Sequence, residues 1–139
     1  MKRLVIDTST LVSGAVSPPT SPPAVLLDAA QAAVYDLIAC PRILTEIERA
    51  LTKPYFEARF TPAERTDLIE TVRLVAIMLP DPPVVRRVVR DPNDDFLVEL
   101  ASTARAAAIV SGDADLLDHH DLEPPAISAR TACEQLGLL

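Results

Sequence analysis

Short apolar runs at residues 4–6, 35–40 and 108–111, kept apart by stretches with helical spacing, constrain the fold of this chain more than any other feature. Leu4-Val5-Ile6 is too short for a helix and has no polar face, which is the pattern of a strand buried inside a parallel sheet. Parallel neighbours cannot be joined by a hairpin and need a long crossover, usually a helix. Alternation of this kind along the whole chain predicts an α/β fold with a central, mostly parallel sheet flanked by helices.

The connecting stretches supply those crossovers. Residues 17–23 read as an exposed Pro/Ser-rich loop, and residues 24–33 as an Ala/Leu-rich helix packing through Val25, Leu26, Ala29 and Ala33. Leu11 to Val16 could begin a helix of its own. Pro41 opens a helix with an apolar stripe of Ile43, Leu44, Ile47, Ala50 and Leu51, and Pro54 stops it. Glu46 and Glu48 lie on the two flanks of that stripe, and periodicity does not choose between them. Thr61-Pro62-Ala63-Glu64 spells a capping box, after which Leu68, Ile69, Val72, Val75, Ala76 and Leu79 carry an apolar face to Pro80. With the helix before it, this one would form a hairpin against the sheet edge. Residues 84–89 read as a short edge segment or an extended loop. Asp91-Pro92-Asn93-Asp94 opens a further helix with Leu97, Val98, Ala101, Ala104 and Ala108 inward. A last short strand is expected at 124–128 and a terminal helix at 130–136.

With 139 residues, 49% of them apolar, the chain can bury one good core, and a single domain over 1–139 is the expectation. A net charge of −7 gives no overall field for gripping nucleic acid, so any phosphate contact needs a local basic set. Arg42, Arg49, Lys53 and Arg59 are candidates for one, and ordinary surface charge is the other reading of them. Cys40 and Cys133 form no paired motif and sit among apolar neighbours, as buried thiols in a reducing compartment do. Asp7 interrupts the first apolar run before a signal-peptide core can form, and no stretch is long enough to span a bilayer. A cytoplasmic location and no membrane partner follow as expectations.

Chemistry concentrates in the acids. Asp7 follows the first strand, Asp113 follows a later one, and Asp94 stands in the first turn of a helix. In a parallel sheet, strand ends lie on one rim, where open α/β sheets place their sites. With Glu46 or Glu48 added there are four carboxylates, whose mutual repulsion in a low dielectric calls for protons or cations. An all-oxygen set of this kind suits Mg²⁺ or Mn²⁺. Asp7, Asp94 and Asp113 could each instead cap a helix, and Glu46 could be an exposed helix acid. Asp95 and Asp115 are second candidates beside Asp94 and Asp113. His119 and His120 adjoin in a polar turn and do not form a metal pair, and the three glycines make no phosphate loop. Ser111-Gly112 lacks the setting of a hydrolase nucleophile, and a receiver-type domain would want a carboxylate where Ser9 stands.

Four blocks together resemble a known family: Val5-Ile6-Asp7-Thr8-Ser9, Pro41-Arg42-Ile43-Leu44-Thr45-Glu46, Arg90-Asp91-Pro92-Asn93-Asp94-Asp95 and Val110-Ser111-Gly112-Asp113-Ala114-Asp115-Leu116-Leu117. They are similar to the PIN domain and, more narrowly, to the VapC-like toxin components of bacterial toxin-antitoxin pairs. The resemblance covers nearly the whole chain in order. It implies a PIN-like three-layer fold and a metal-dependent endoribonuclease, with Asp7, Glu46, Asp94 and Asp113 around one or two Mg²⁺ or Mn²⁺ ions. It selects Glu46 over Glu48, and Asp94 over Asp95, and gives Ser9 a supporting polar role. It also implies products with a 5′ phosphate and a 3′ hydroxyl, an RNA substrate, a cognate antitoxin, and a homodimer or higher oligomer. A groove beside the hairpin of residues 61–79 is a candidate partner surface. A PIN-like module that binds protein or RNA without catalysis is the alternative.

Overall fold

The computed structural model describes residues 2–83, 87 and 92–139. Its strands are β1 (Arg3–Ile6), β2 (Asp36–Ala39), β3 (Ile77–Met78), β4 (Ala108–Val110) and β5 (Ala126–Ile127). Its helices are α1 (Thr8–Val16), α2 (Pro22–Gln31), α3 (Pro41–Leu51), α4 (Pro54–Glu57), α5 (Pro62–Val75), α6 (Pro92–Thr103), α7 (Ala114–Leu117) and α8 (Ala129–Gln135). The strands form one sheet in the order β3-β2-β1-β4-β5, and every pairing is parallel. From β1 the chain steps outward to β2 and β3, then returns past β1 to β4 and β5. Crossovers running in both directions from β1 flank the sheet with helices. α6 packs across β1 and β4, and α5 against β2.

Register explains the core. Val5 lies opposite Ile38 on one side and Ile109 on the other, and Ile38 and Ile109 in turn face Ile77 and Ala126. Leu4, Val5, Ile6, Leu37, Ile38, Ile109 and Val110 are buried, as the absence of a polar face requires. The core continues through Ile43, Ile47 and Leu51 of α3 and through Phe96, Leu97, Leu100 and Ala101 of α6. At one point backbone approaches backbone: a Cβ on Gly14 of α1 would come within 2.8 Å of the Pro23 carbonyl oxygen in α2. Glycine there lets the two helices close.

Several boundaries differ from expectation. α2 begins at Pro22 rather than Ala24, because prolines suit the first helical positions and need no amide partner. α5 ends at Val75, and Ile77–Met78 joins β2 as a fifth strand instead of prolonging the helix. Ala108 belongs to β4 rather than to the inner face of α6, which ends at Thr103. Of the expected segment 84–89 only Arg87 is among the described residues, and Asp91 lies outside them as well.

Three helices end in the same way. The amides of Val34, Ala106 and Leu138 reach back to the carbonyls of Ala29, Ala101 and Cys133, while those of Ala33, Arg105 and Gly137 bond to Ala30, Ser102 and Glu134. This is the Schellman arrangement, with a left-handed residue after the helix. Gly137 fills that position in one case, but Ala33 and Arg105 hold φ of 59° and 54° in the others.

Candidate active site

The sheet register delivers the first acid. Ile6 lies opposite Val110, so the next residues on each strand, Asp7 and Ser111, come side by side at the carboxyl rim. They stand where the chain's two directions of crossover diverge from β1 and β4, which is where open α/β sheets bind ligands. Asp7 is 8% exposed. Its Oδ2 accepts a hydrogen bond from Ser111 Oγ at 2.5 Å, and its Oδ1 accepts the Thr10 amide at 2.9 Å. The first is as short as charge-assisted O–H···O⁻ bonds become. Ser9 Oγ stands 3.5 Å from Oδ1, a much weaker contact. Asp7 therefore caps α1 and also faces the rim, so capping and a site role coexist in one side chain.

α3 brings in the second acid. The amide of Arg42 is capped by Asp81, whose Oδ1 accepts at 2.9 Å from the chain beyond β3. Glu46, one turn further on, accepts from Thr8 Oγ1 at 3.1 Å and pairs with Arg42 at 3.5 Å. Arg42 in turn lies 4.0 Å from the centre of the Phe96 ring, tying α3 to α6. Glu48 points elsewhere, into a separate cavity of about 430 Å³ between α3 and α5 that Leu51, Glu57, Arg65 and Ile69 also line.

Asp94, in the first turn of α6, and Asp113, at the N-cap of α7, complete the rim. Asp113 receives the Asp115 amide at 2.9 Å on Oδ1, and its own amide donates to Ser111 Oγ at 3.0 Å. Ser111 thus links the two strand-end acids. The second candidates lie apart: Asp95 is fully buried and pairs with Arg87 at 3.2 Å, while Asp115 lines a small hollow with Asp118 and His119.

Asp7, Glu46, Asp94 and Asp113 all line one open cleft of about 540 Å³, together with Thr8, Ser9, Arg49, Lys53 and Phe56. Two of the four basic candidates are therefore on the cleft. Arg42 is engaged with Glu46 and Phe96, and Arg59 lies over the Tyr55 ring at 3.6 Å. Among the described residues no three acids, imidazoles or thiols gather tightly enough to enclose an ion. Magnesium needs no such cage, since it binds through one or two carboxylates and keeps several waters. The donor set, all carboxylate oxygen with hydroxyls behind it, fits such an ion. Ser111 and Thr8, through their hydroxyls, and Thr10, through its backbone amide, are supporting residues that the sequence does not single out; only the places of Thr8 and Ser111 just beyond β1 and β4 could have marked them.

The PIN-domain family model matches residues 3–115. No functionally curated protein matches the chain. Among solved structures, the crystal structure of PAE2754 from Pyrobaculum aerophilum is similar with a TM-score of 0.68 and 19% identity, covering 99% of this chain and 91% of that one. At that identity the likeness concerns the fold.

Proposed function

Because the chain belongs to the PIN-domain family, whose members are generally metal-dependent nucleases, we propose that it is an endoribonuclease working with Mg²⁺ or Mn²⁺. The observation that carries this reading is the convergence of Asp7, Glu46, Asp94 and Asp113, from four separate stretches of chain, on one cleft that also presents Arg49 and Lys53. An all-acid site would repel a phosphodiester. Two cations on its wall offset that repulsion and give the backbone something to hold.

Under this reading the four carboxylates hold one or two divalent ions, with Asp7 fixed by Ser111 and Thr10, and Glu46 by Thr8 and Arg42. A bound ion supplies an activated water and charge stabilisation for the leaving 3′ oxygen. Arg49 and Lys53 bind and orient the phosphate. No side-chain base is required, and the products carry a 5′ phosphate and a 3′ hydroxyl. A role as the toxin of a toxin-antitoxin pair, restrained by a small antitoxin and acting as a dimer, belongs to the same proposal and is supported by the sequence resemblance.

The test is cleavage of end-labelled RNA by purified protein with Mg²⁺, Mn²⁺ or EDTA, beside Asp7→Asn and Asp94→Asn. Metal-dependent cutting that each substitution lowers by about 100-fold or more is expected, since a ligand charge supports several kcal/mol of transition-state stabilisation. A folded protein that neither cuts RNA nor binds Mn²⁺ by calorimetry would instead be a non-catalytic binding module.

A further inference from the structure

Next to the acidic cleft stands an aromatic group that the proposed chemistry does not use. α4 places Tyr55 and Phe56 edge to face, with ring centres 4.9 Å apart and planes at 85°. Phe56 lines the cleft, and behind it Phe60, 6.4 Å away, is buried as the anchor of the group. Tyr55 has no comparable packing role, since 57% of it is exposed. Arg59 lies over its ring at 3.6 Å, held by a 2.7 Å hydrogen bond to the Tyr55 carbonyl. Arg49 and Lys53, on the cleft wall, precede the aromatic pair by a few residues. An exposed ring beside a half-buried one at a cation-lined cleft supplies the elements of single-strand binding: every base offers a π face, and the cations follow the backbone. A duplex keeps its bases stacked on one another and has none to offer.

We propose that Tyr55 and Phe56 form a base-stacking platform beside the cleft, one unpaired base resting on it while Lys53 and Arg49 hold the adjoining phosphates. This rests on the nuclease reading for its choice of polymer. The platform fixes where a strand lies relative to the carboxylates, so these residues position the substrate and take no part in the chemical step.

The chain contains no tryptophan and two tyrosines, of which Tyr35 is buried with its hydroxyl bonded to the Leu26 carbonyl at 2.8 Å. Changes in tyrosine emission on adding RNA therefore report Tyr55. The experiment titrates the full chain carrying Asp7→Asn with a twelve-residue oligouridylate in EDTA, and then with the same strand in a duplex. Emission is expected to fall with the single strand and to stay level with the duplex. Tyr55→Leu should weaken binding of a labelled strand by roughly 5- to 150-fold, the loss that base stacking carries, while Tyr55→Phe retains it. Tight binding without quenching, or full affinity in folded Tyr55→Leu, overturns the platform and leaves the nuclease reading intact. Quenching in a protein that cuts nothing with any metal sinks the nuclease and leaves the platform. A duplex that binds as tightly and quenches as fully as the single strand overturns the platform, since paired bases have no free face to rest on it.

Discussion

Ser111 is the residue whose loss should be most informative. Its hydroxyl donates to Asp7 and accepts the amide of Asp113, so it sets the position of one acid and braces the loop of the other. Residues that support metal-binding carboxylates in this way cost about 10- to 100-fold in metal affinity or activity when removed. Ser111→Ala is expected to weaken Mn²⁺ binding by that factor, and Ser111→Thr, which restores the hydroxyl, to recover most of it. Equal binding by wild type and Ser111→Ala in calorimetry would show that Asp7 needs no such support. At this scale Asp7, Asp94 and Asp113 are legible in the sequence because each follows an apolar run or opens a helix, whereas Glu46, in the middle of α3, is separated from Glu48 only by the family resemblance. Ser111 and Thr8 are not, because a lone hydroxyl has no period and gains meaning only from the strand beside it. Asp7 and Asp113 show a further limit of sequence alone, as each is both a helix cap and a wall of the cleft.

Among the elements, β1, β2, β4 and α3 follow directly from apolar runs and helical stripes. β3 does not: it is two residues long, and its Ile77 and Met78 extend the apolar spacing of α5 so that nothing marks the change of period. The end of α6 is hidden for a related reason, since the left-handed residue that terminates it is Arg105 where glycine is the usual signal. The same holds for Ala33 after α2. A residue with a Cβ in that conformation costs about 1–2 kcal/mol, part of which glycine returns through its freer unfolded chain. Ala33→Gly is therefore expected to raise stability by on the order of 0.5–1 kcal/mol, read as a higher urea midpoint with an unchanged slope. A lowered midpoint would mean that the left-handed geometry at Ala33 carries little strain. The site exposed at this helix end is remote from the cleft, so cleavage should not change.

For the whole molecule, burial of its ionisable core groups sets a limit at high pH. Cys40 is enclosed by the core, and burial, reinforced by the Asp81 carboxylate, pushes its thiol up to about 11 from an ordinary 9.0. Burial also raises the thiol of Cys133 and the phenol of Tyr35. A group whose acidity is suppressed on folding stabilises the fold fully below its unfolded pKa and loses that contribution as pH climbs towards the folded one. For Cys40 the window runs from pH 9.0 to about 11 and is worth on the order of 2 kcal/mol. Urea midpoints should hold between pH 7 and 8.5 and fall steeply above 9, with a shallower fall in Cys40→Ala. An identical fall in that variant would assign the effect to other groups. Both thiols should also resist alkylation until the chain unfolds.

The bond between Ser111 and Asp7 joins residues 104 positions apart, the first strand to the fourth. A chain emerging from a ribosome at about 5–20 residues per second therefore carries Asp7 for roughly 5–20 s before its partner has even been made. Glu46 and Asp94 are in place within that interval, but the rim stays open. Under the nuclease reading, nascent chains and fragments that stop short of β4 lack both Ser111 and Asp113 and cannot assemble the four-acid cleft, which ties cleavage to synthesis past β4.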